Sequence, residues 1–270
     1  MPFLEHLSLG QYVPTQSFVH SLDPRAKILS AIALITSVFL ASTSLWPYFL
    51  WFVVLIAISA LSKLSLKTVM ASIKPVLILI IFTVLINLLF ASGEELFKIF
   101  FISITKEGLA ASIKMGLRLL FLILFANITM MTTSPIELSD GIESLLSPFK
   151  RFHVPAHEFA MMMTIALRFI PTLLDETDKI IKAQLARGAD LDSGNLIKRF
   201  KAFIPVLVPL FVIVFQRADD LAIAMEARCY RGGIGRSRMK PLRWTLSDGL
   251  YLLTVLLTCA SGVVLDKWVL

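Results

Sequence analysis

The sequence predicts an all-α membrane protein with about four to six transmembrane helices and long amphipathic helices on the cytoplasmic side. Of its 270 residues, 57% are hydrophobic and only 17% are charged, and its mean hydropathy is +0.80. A soluble domain usually carries about 45–50% apolar residues and about 25% charged ones. The surplus of apolar side chains therefore indicates a lipid bilayer as their environment.

Five apolar runs are candidates for membrane spans. They are Ile28–Ala41, Tyr48–Leu61, Pro75–Ala91, Leu109–Met131 and Leu250–Leu265. Several are shorter than the roughly 20 residues that cross about 30 Å of hydrocarbon, so the first two also fit a tilted pair or a broken hairpin. A sixth run, Phe203–Phe215, contains two prolines and is too short to span comfortably. It is predicted to lie against the bilayer or to enter it partly.

The distribution of basic residues predicts the orientation in the cell membrane. With a cytoplasmic N-terminus and alternating crossings, sixteen basic residues between Lys150 and Arg243 lie inside. The outer face then keeps only Lys98, Lys106 and Lys267. An excess of Lys and Arg marks the cytoplasmic side of membrane proteins. The chain thus divides into N-terminal transmembrane helices (1–133), a cytoplasmic helical module (134–245) and a C-terminal transmembrane helix (246–270).

The net charge of +7 and the pI near 9.5 have an ordinary explanation in this setting. Lys and Arg on the inner face meet anionic lipid headgroups, each contributing about 1 kcal/mol near the surface. The densest basic cluster directly precedes the last apolar run, which is not the soluble, aromatic-rich arrangement that nucleic-acid binding favours. No nucleic-acid partner is expected.

The cytoplasmic module shows helix boundary signals. Ser134-Pro135-Ile136-Glu137 predicts a helix start, with Ser as the N-cap residue, Pro at the first position and an acid in the first turn. Pro155 opens a further helix, and the apolar stripe after Pro171 predicts another. That helix should end near Arg187, because Gly188 is a good terminator. A last amphipathic helix should end near Arg228.

One short pattern occurs twice in this module. Asp178–Gly188 reads DKIIKAQLARG, and Asp219–Cys229 reads DDLAIAMEARC 41 residues later. An Arg near a helix C-terminus can simply interact with the helix dipole, worth about 0.3–1 kcal/mol. The duplication favours a second role, since an always-charged planar fork between small residues suits a carboxylate-lined groove on a partner. Two such ends predict a dimeric or pseudo-dimeric partner. The candidate binding residues are Ala186, Arg187, Gly188, Ala227, Arg228 and Cys229.

Several motifs together resemble the transmembrane T component (EcfT/CbiQ-like) of energy-coupling factor transporters. They are Leu22-Asp23-Pro24-Arg25-Ala26-Lys27, Thr132-Thr133-Ser134-Pro135, Ala166-Leu167-Arg168-Phe169-Ile170-Pro171, Ala186-Arg187-Gly188 and Ala227-Arg228-Cys229. The resemblance covers nearly the whole chain. The second copy has Cys229 where the family often has Gly, so a small residue is kept.

The resemblance implies a non-catalytic subunit of an ATP-driven importer, without cofactor or metal of its own. Its two coupling helices would insert Arg187 and Arg228 into grooves on two ABC-type ATPase subunits, a homodimer or a heterodimer. A separate substrate-binding membrane protein, the S component, would hold the vitamin or metal. ATP-driven motion would pass through this chain to that subunit.

Three other functions compete with this interpretation. An intramembrane enzyme could use Asp219-Asp220, but no third acid follows at the next turn, and His153 and His157 are separated by Pro155. A secondary transporter that binds substrate itself would need ionisable residues in mid-membrane. An ordinary cassette permease usually shows one coupling helix per chain. No phosphate-binding loop is present in the sequence, so ATP hydrolysis by this chain is not expected.

Overall fold

The computed structural model describes residues 12–41, 44–90, 95–99, 102–148, 155–189, 196–232 and 241–268. The expectation for His153 lies outside these residues, as does most of the basic cluster before the last span. The chain forms two compact units. One comprises Ser8–Leu145 with Lys240–Leu270, and the other comprises Leu146–Met239 with Met1–Leu7.

The first unit is built mainly from apolar helices. They are α1 Phe18–Ser21, α2 Pro24–Leu40, α3 Trp46–Leu61, α4 Leu66–Ala71, α5 Lys74–Phe90, α6 Lys106–Thr132 and α7 Pro135–Leu146. The last helix of this unit is α10, Leu246–Trp268. Two helices that precede α10 in the chain, α8 Ala156–Ala186 and α9 Leu196–Ala227, form the second unit. The predicted all-α membrane fold is confirmed.

The core of the first unit lies where α2, α3, α6 and α10 pack together. Trp51 is completely buried there and makes an edge contact with the Tyr48 ring, which stacks on Phe121 of α6. Phe121 stacks in turn on Phe125. Gly262 of α10 faces the Trp51 indole, and a Cβ at this glycine would lie 3.6 Å from Nε1. An added Cβ would thus make only an ordinary van der Waals contact with the indole, which α10 covers at this point.

The predicted start of α7 is confirmed in detail. Ser134 Oγ accepts a hydrogen bond from the Glu137 N–H at 3.3 Å, and Glu137 Oε2 accepts one from the Ser134 N–H at 3.2 Å. This reciprocal capping box satisfies two donors that a helix start leaves unpaired. Pro135 at the first position needs no N–H partner.

A short antiparallel hairpin was not expected from the sequence. Strand β1 (Glu95–Ile99) pairs with β2 (Ile102–Thr105) between α5 and α6. The five main apolar runs all fall in helices, close to their predicted limits.

The prolines of the second unit do not end its helices, contrary to the predicted start of a new helix after Pro171. Helix α8 continues through Pro171 for 31 residues, and α9 continues through Pro205 and Pro209 for 32. A proline removes only one hydrogen bond of a helix, which long flanking segments tolerate as a kink. The stretch Phe203–Phe215 is therefore not a short separate helix.

Within the described ranges, three helices are long and apolar enough to cross a membrane: α6, the Phe200–Ala227 part of α9, and α10. The apolar helices α3 and α5 are shorter, at 16 and 17 residues. The judgement that Phe203–Phe215 is too short to span is thus revised, because it lies within a helix of sufficient length.

Candidate functional site

Both copies of the repeated pattern end a helix in the same backbone motif. At the end of α8, the Gly188 N–H donates to Leu185 O at 2.9 Å, and the Ala189 N–H donates to Gln184 O at 3.0 Å. At the end of α9, the Cys229 N–H donates to Glu226 O at 2.8 Å, and the Tyr230 N–H donates to Met225 O at 3.1 Å. These paired bonds define a Schellman motif, which satisfies the last carbonyls of a helix.

The third residue of each triplet adopts the left-handed conformation that this motif requires. Its φ is +85° at Gly188 and +54° at Cys229. Glycine enters this region without steric cost, whereas an L-residue with a Cβ is disfavoured by roughly 1–2 kcal/mol. The left-handed backbone therefore explains why glycine stands at position 188. Cys229 adopts the same backbone conformation at a cost in free energy.

The sharp helix ends leave both arginines exposed. Arg187 and Arg228 follow the last helical residues, Ala186 and Ala227, which are also exposed. Within the described part of the chain, neither guanidinium makes a hydrogen bond or an ion pair. Each Arg thus presents its five N–H donors outward between small residues, as a binding role requires.

The acidic residues that begin each copy do not pair with these arginines. Nine residues amount to two and a half helical turns, which places Asp178 and Arg187 on opposite sides of α8. Asp178 instead lies 3.9 Å from Lys182 one turn later, and Asp219 is exposed on α9. The repeated Asp therefore belongs to the wet face of each helix.

Among the described residues, two polar side-chain contacts join α8 to α9. Glu176 Oε1 lies 3.7 Å from Arg217 Nη2 and 3.1 Å from Lys179 Nζ on its own helix. Gln184 Nε2 donates to the Pro205 carbonyl oxygen at 3.1 Å. That carbonyl would normally accept from the N–H of residue 209, which is a proline and has none. Gln184 therefore supplies the hydrogen bond that Pro209 cannot make.

The first unit contains a buried polar cluster whose role sequence reasoning missed. Asp248 is buried at the start of α10, and its carboxylate accepts from the Asp23 N–H at 2.8 Å, the Thr245 N–H at 2.7 Å and the Thr245 hydroxyl at 2.6 Å. Asp23 also pairs with Arg25 at 2.8 Å, and Arg25 lies over the Trp244 ring at 5.6 Å. The Leu22–Lys27 motif thus connects the first long helix to the last.

Lys27 completes this connection. It is buried, and its Nζ donates to the carbonyl oxygens of His20 at 2.9 Å and Thr132 at 3.1 Å. It thereby joins the start of α2 to the end of α6. The Thr245-x-x-Asp248 spacing before the last apolar run, a helix-start pattern, was the available sequence signal.

Among the described residues, no group of three or more His, Cys, Asp or Glu side chains is placed to hold a metal ion. Asp219 and Asp220, which raised the possibility of an acidic metal pair, are both exposed on α9. Cys229 and Cys259 are free thiols, exposed and buried respectively.

Comparisons with known proteins show the family to which the chain belongs. The sequence profile of the cobalt transport protein family (CbiQ) matches residues 15–241. An energy-coupling factor transporter transmembrane protein EcfT from Thermanaerovibrio acidaminovorans is 54% identical over 268 residues, covering 99% of each chain. The chain belongs to this family.

Further relatives carry the same name. The EcfT protein of Ruminiclostridium cellulolyticum is 52% identical over 247 residues, covering 92% of each chain. That of Thermosediminibacter oceani is 49% identical over 267 residues, covering 98% of this chain and all of its own. The chain is therefore a membrane protein and the transmembrane component of an energy-coupling factor transporter.

Proposed function

We propose that this chain is the scaffold that couples two ABC-type ATPase subunits to a substrate-binding membrane subunit. The observation that carries this proposal is the duplicated helix end. Arg187 and Arg228 are exposed at two helix ends that close in the same Schellman motif, and neither guanidinium has a partner among the described residues. Two equal ends fit two equal or similar grooves, as an ATPase homodimer or heterodimer would offer.

The chemistry of the two arginine-bearing ends suits docking into a carboxylate-lined groove. A guanidinium binds a carboxylate through two parallel hydrogen bonds, which fix orientation as well as contributing energy. The flanking residues Ala186, Gly188, Ala227 and Cys229 are small and exposed, so a groove wall can approach each Arg closely. This chain then contributes no catalytic residue, and ATP hydrolysis belongs to the partners.

Uncovered apolar surface supports contact with lipid and with a membrane-embedded partner. Helix α5 has no buried residue, and Ile78, Phe82 and Phe90 are 78%, 63% and 80% exposed. In the Phe200–Ala227 stretch, only 6% of the most apolar window is buried within the chain. Contiguous apolar surface of this kind needs a lipid or protein cover. We assign it to the bilayer and to the S component.

In the proposed complex, the S component holds the cargo, a vitamin or a metal ion. Opening and closing of the ATPase pair moves Arg187 and Arg228, and α8 and α9 carry that motion to the S component. The N-terminus and the ends of α8 and α9 face the cytoplasm, in keeping with the sixteen basic residues between Lys150 and Arg243.

The native thiol at the end of α9 provides a direct test. Cys229 is exposed and Cys259 is buried, so a maleimide-benzophenone label in native membranes should react mainly at Cys229. Photolysis should crosslink the labelled chain to an ATPase subunit. The matched control carries Cys229→Gly with Ala166→Cys, which moves the label to an exposed position on α8 outside the Arg-bearing ends. An adduct of equal yield from position 166, or full labelling of Cys229 without any ATPase adduct, would refute the docking role.

A further inference from the structure

Arg25 contacts the chain beside both points where it passes between the two compact units. The chain leaves the first unit after Leu145, here called the exit connection, and comes back at Lys240, the return connection. Arg25 Nη1 donates a hydrogen bond to the Ser144 hydroxyl at 3.2 Å, directly before the exit. Its guanidinium carbon also lies 5.6 Å from the centre of the Trp244 ring, shortly after the return. One side chain of the first unit therefore contacts both connections.

Arg25 is itself fixed at the start of α2. Its Nε and Nη2 donate to the two carboxylate oxygens of Asp23 at 3.0 and 2.8 Å. Such a bidentate pair fixes the plane of a guanidinium. Asp23 is buried, and its N–H donates to Asp248 on α10 at 2.8 Å. The guanidinium nitrogens are thus divided between an anchor on Asp23 and the contact with Ser144.

Close packing of α7 against α2 brings the exit connection to Arg25. Gly141 of α7 is buried, and a Cβ there would lie 2.9 Å from Ile28 Cδ1 and 3.2 Å from Pro24 Cβ on α2. Ser144 follows three residues later, on the same face of α7. Glycine at position 141 therefore lets α7 lie directly against the start of α2, with Ser144 beside Arg25.

The return connection is positioned by α10 as well as by Arg25. A Cβ at Gly249, in the first turn of α10, would lie 3.6 Å from Trp244 Nε1, so the indole lies over this turn. The next residue, Thr245, donates its N–H to Asp248 Oδ2 at 2.7 Å. A guanidinium is attracted to the face of an aromatic ring such as Trp244. Arg25 thus contacts a returning segment that already has a fixed position.

We propose that Arg25 is a clamp that holds the exit and return connections at the start of α2, so that motion of α8 and α9 is passed to the first unit. This inference rests on the proposed function and adds a positioning residue to it. Part of the apolar surface assigned above to the S component, on α5, belongs to the first unit. Movement that the ATPases impose on Arg187 and Arg228 reaches this unit along the two connections. Because both connections contact one anchored side chain, neither yields alone.

Three variants remove the contacts of the clamp separately. Ser144→Ala removes only the hydroxyl at the exit connection, and alanine favours a helix, so helix propensity cannot loosen α7 in this variant. Trp244→Leu removes only the aromatic face at the return connection. Arg25→Lys keeps the positive charge beside Asp23. A lysine ammonium is a point charge, however, and cannot bind both carboxylate oxygens and the two connections as the planar guanidinium does.

Electron paramagnetic resonance of the full complex in lipid nanodiscs measures whether the two connections stay together. Spin labels at Ser147→Cys and Arg243→Cys, exposed positions just beyond the clamp on each connection, report their separation. The labelled background carries Cys229→Gly and Cys259→Ala. Distances are recorded without nucleotide and with AMP-PNP, a non-hydrolysable ATP analogue.

The parent complex should show one narrow distance distribution that is the same in both states. Ser144→Ala and Trp244→Leu should each broaden the distribution and make it change when AMP-PNP binds, and Arg25→Lys should have the largest effect. Adding Ser144→Ala to Arg25→Lys should change nothing further, because both substitutions remove the same contact. The matched controls, Ser261→Ala and Trp268→Leu at exposed positions, should leave the distribution unaltered.

A parent distribution that already changes with AMP-PNP would overturn the clamp. Variants that lower only the unfolding temperature and leave the label separation intact would also overturn it, since they would show a purely structural role. ATPase subunits should remain bound in every variant, because Arg187 and Arg228 are intact. If the parent complex contains no ATPase, the proposed function fails, while the nucleotide-free distributions still decide whether Arg25 holds both connections.

Discussion

Gly188 and Cys229 hold the same left-handed backbone conformation at the ends of α8 and α9, with φ of +85° and +54°. Each follows an exposed Arg and closes a Schellman motif with the same two hydrogen bonds. The repeated sequence pattern is therefore also a repeated backbone structure. The two copies differ in strain, because only one of them uses the residue that this conformation favours.

Replacing Cys229 by Gly should stabilise the end of α9 by roughly 1 kcal/mol, because it removes the Cβ from a left-handed position. The gain should appear as slower amide hydrogen exchange at position 229 and at Tyr230, whose N–H groups close the motif. The reciprocal change, Gly188→Ala, should destabilise the end of α8 by a similar amount. No atom lies within 4 Å of the added Cβ, so the cost is one of backbone conformation alone.

Gly249→Ala is the matched control for Gly188→Ala. This helical glycine has φ outside the left-handed region, and an added Cβ would make only an ordinary 3.6 Å contact with Trp244. Alanine should be tolerated there or improve the helix. Equal destabilisation at positions 188 and 249 would contradict the account of the helix ends.

Gln184→Leu should lower the free energy of unfolding by about 0.5–1 kcal/mol, because the Pro205 carbonyl loses its donor. The explanation through Pro209 can be tested by a double-mutant cycle. Pro209→Ala restores an N–H that can donate to Pro205 within α9. In that background, Gln184→Leu should leave the free energy of unfolding, measured with denaturant, almost unchanged. An undiminished loss of stability would show that Gln184 does not replace the N–H that Pro209 lacks.

Asp248→Asn should destabilise the protein by about 1–3 kcal/mol, because an amide nitrogen cannot accept the bonds from Thr245. The carboxylate accepts three hydrogen bonds in a buried site and joins the Leu22–Lys27 motif to α10. Thermal unfolding in detergent measures the effect. Asp220→Asn, on an exposed part of α9, should leave the unfolding temperature nearly unchanged. Equal unfolding temperatures for both variants would show that the cluster does not stabilise the fold.

Signals that depend on nearby residues allowed much of the fold to be predicted. Hydropathy located the five main helices, and the spacing of Ser134 and Glu137 predicted a cap that the structure contains. Gly188 predicted the end of α8, because the terminator acts through its own backbone. The six candidate site residues all lie at two exposed helix ends.

The features that were missed depend on residues distant in sequence. Helix α9 tolerates Pro209 partly because Gln184 on α8 supplies a donor, which no local pattern reveals. The role of Asp248 depends on Asp23, 225 residues earlier in the chain. The prediction of a new helix after Pro171 was wrong, because the local preference of proline is overridden within a 31-residue helix.

The central claim is that Arg187 and Arg228 bind two ATPase subunits. The most direct measurement is quantitative co-purification of ATPase subunits with the tagged chain from its native membrane, comparing wild type with Arg187→Glu/Arg228→Glu. The matched control, Lys182→Glu/Lys201→Glu, makes the same charge change at exposed positions on the same two helices. The account predicts two ATPase subunits with the wild type and the control, and none with the arginine variant. Full recovery of both ATPases with the arginine variant would contradict it.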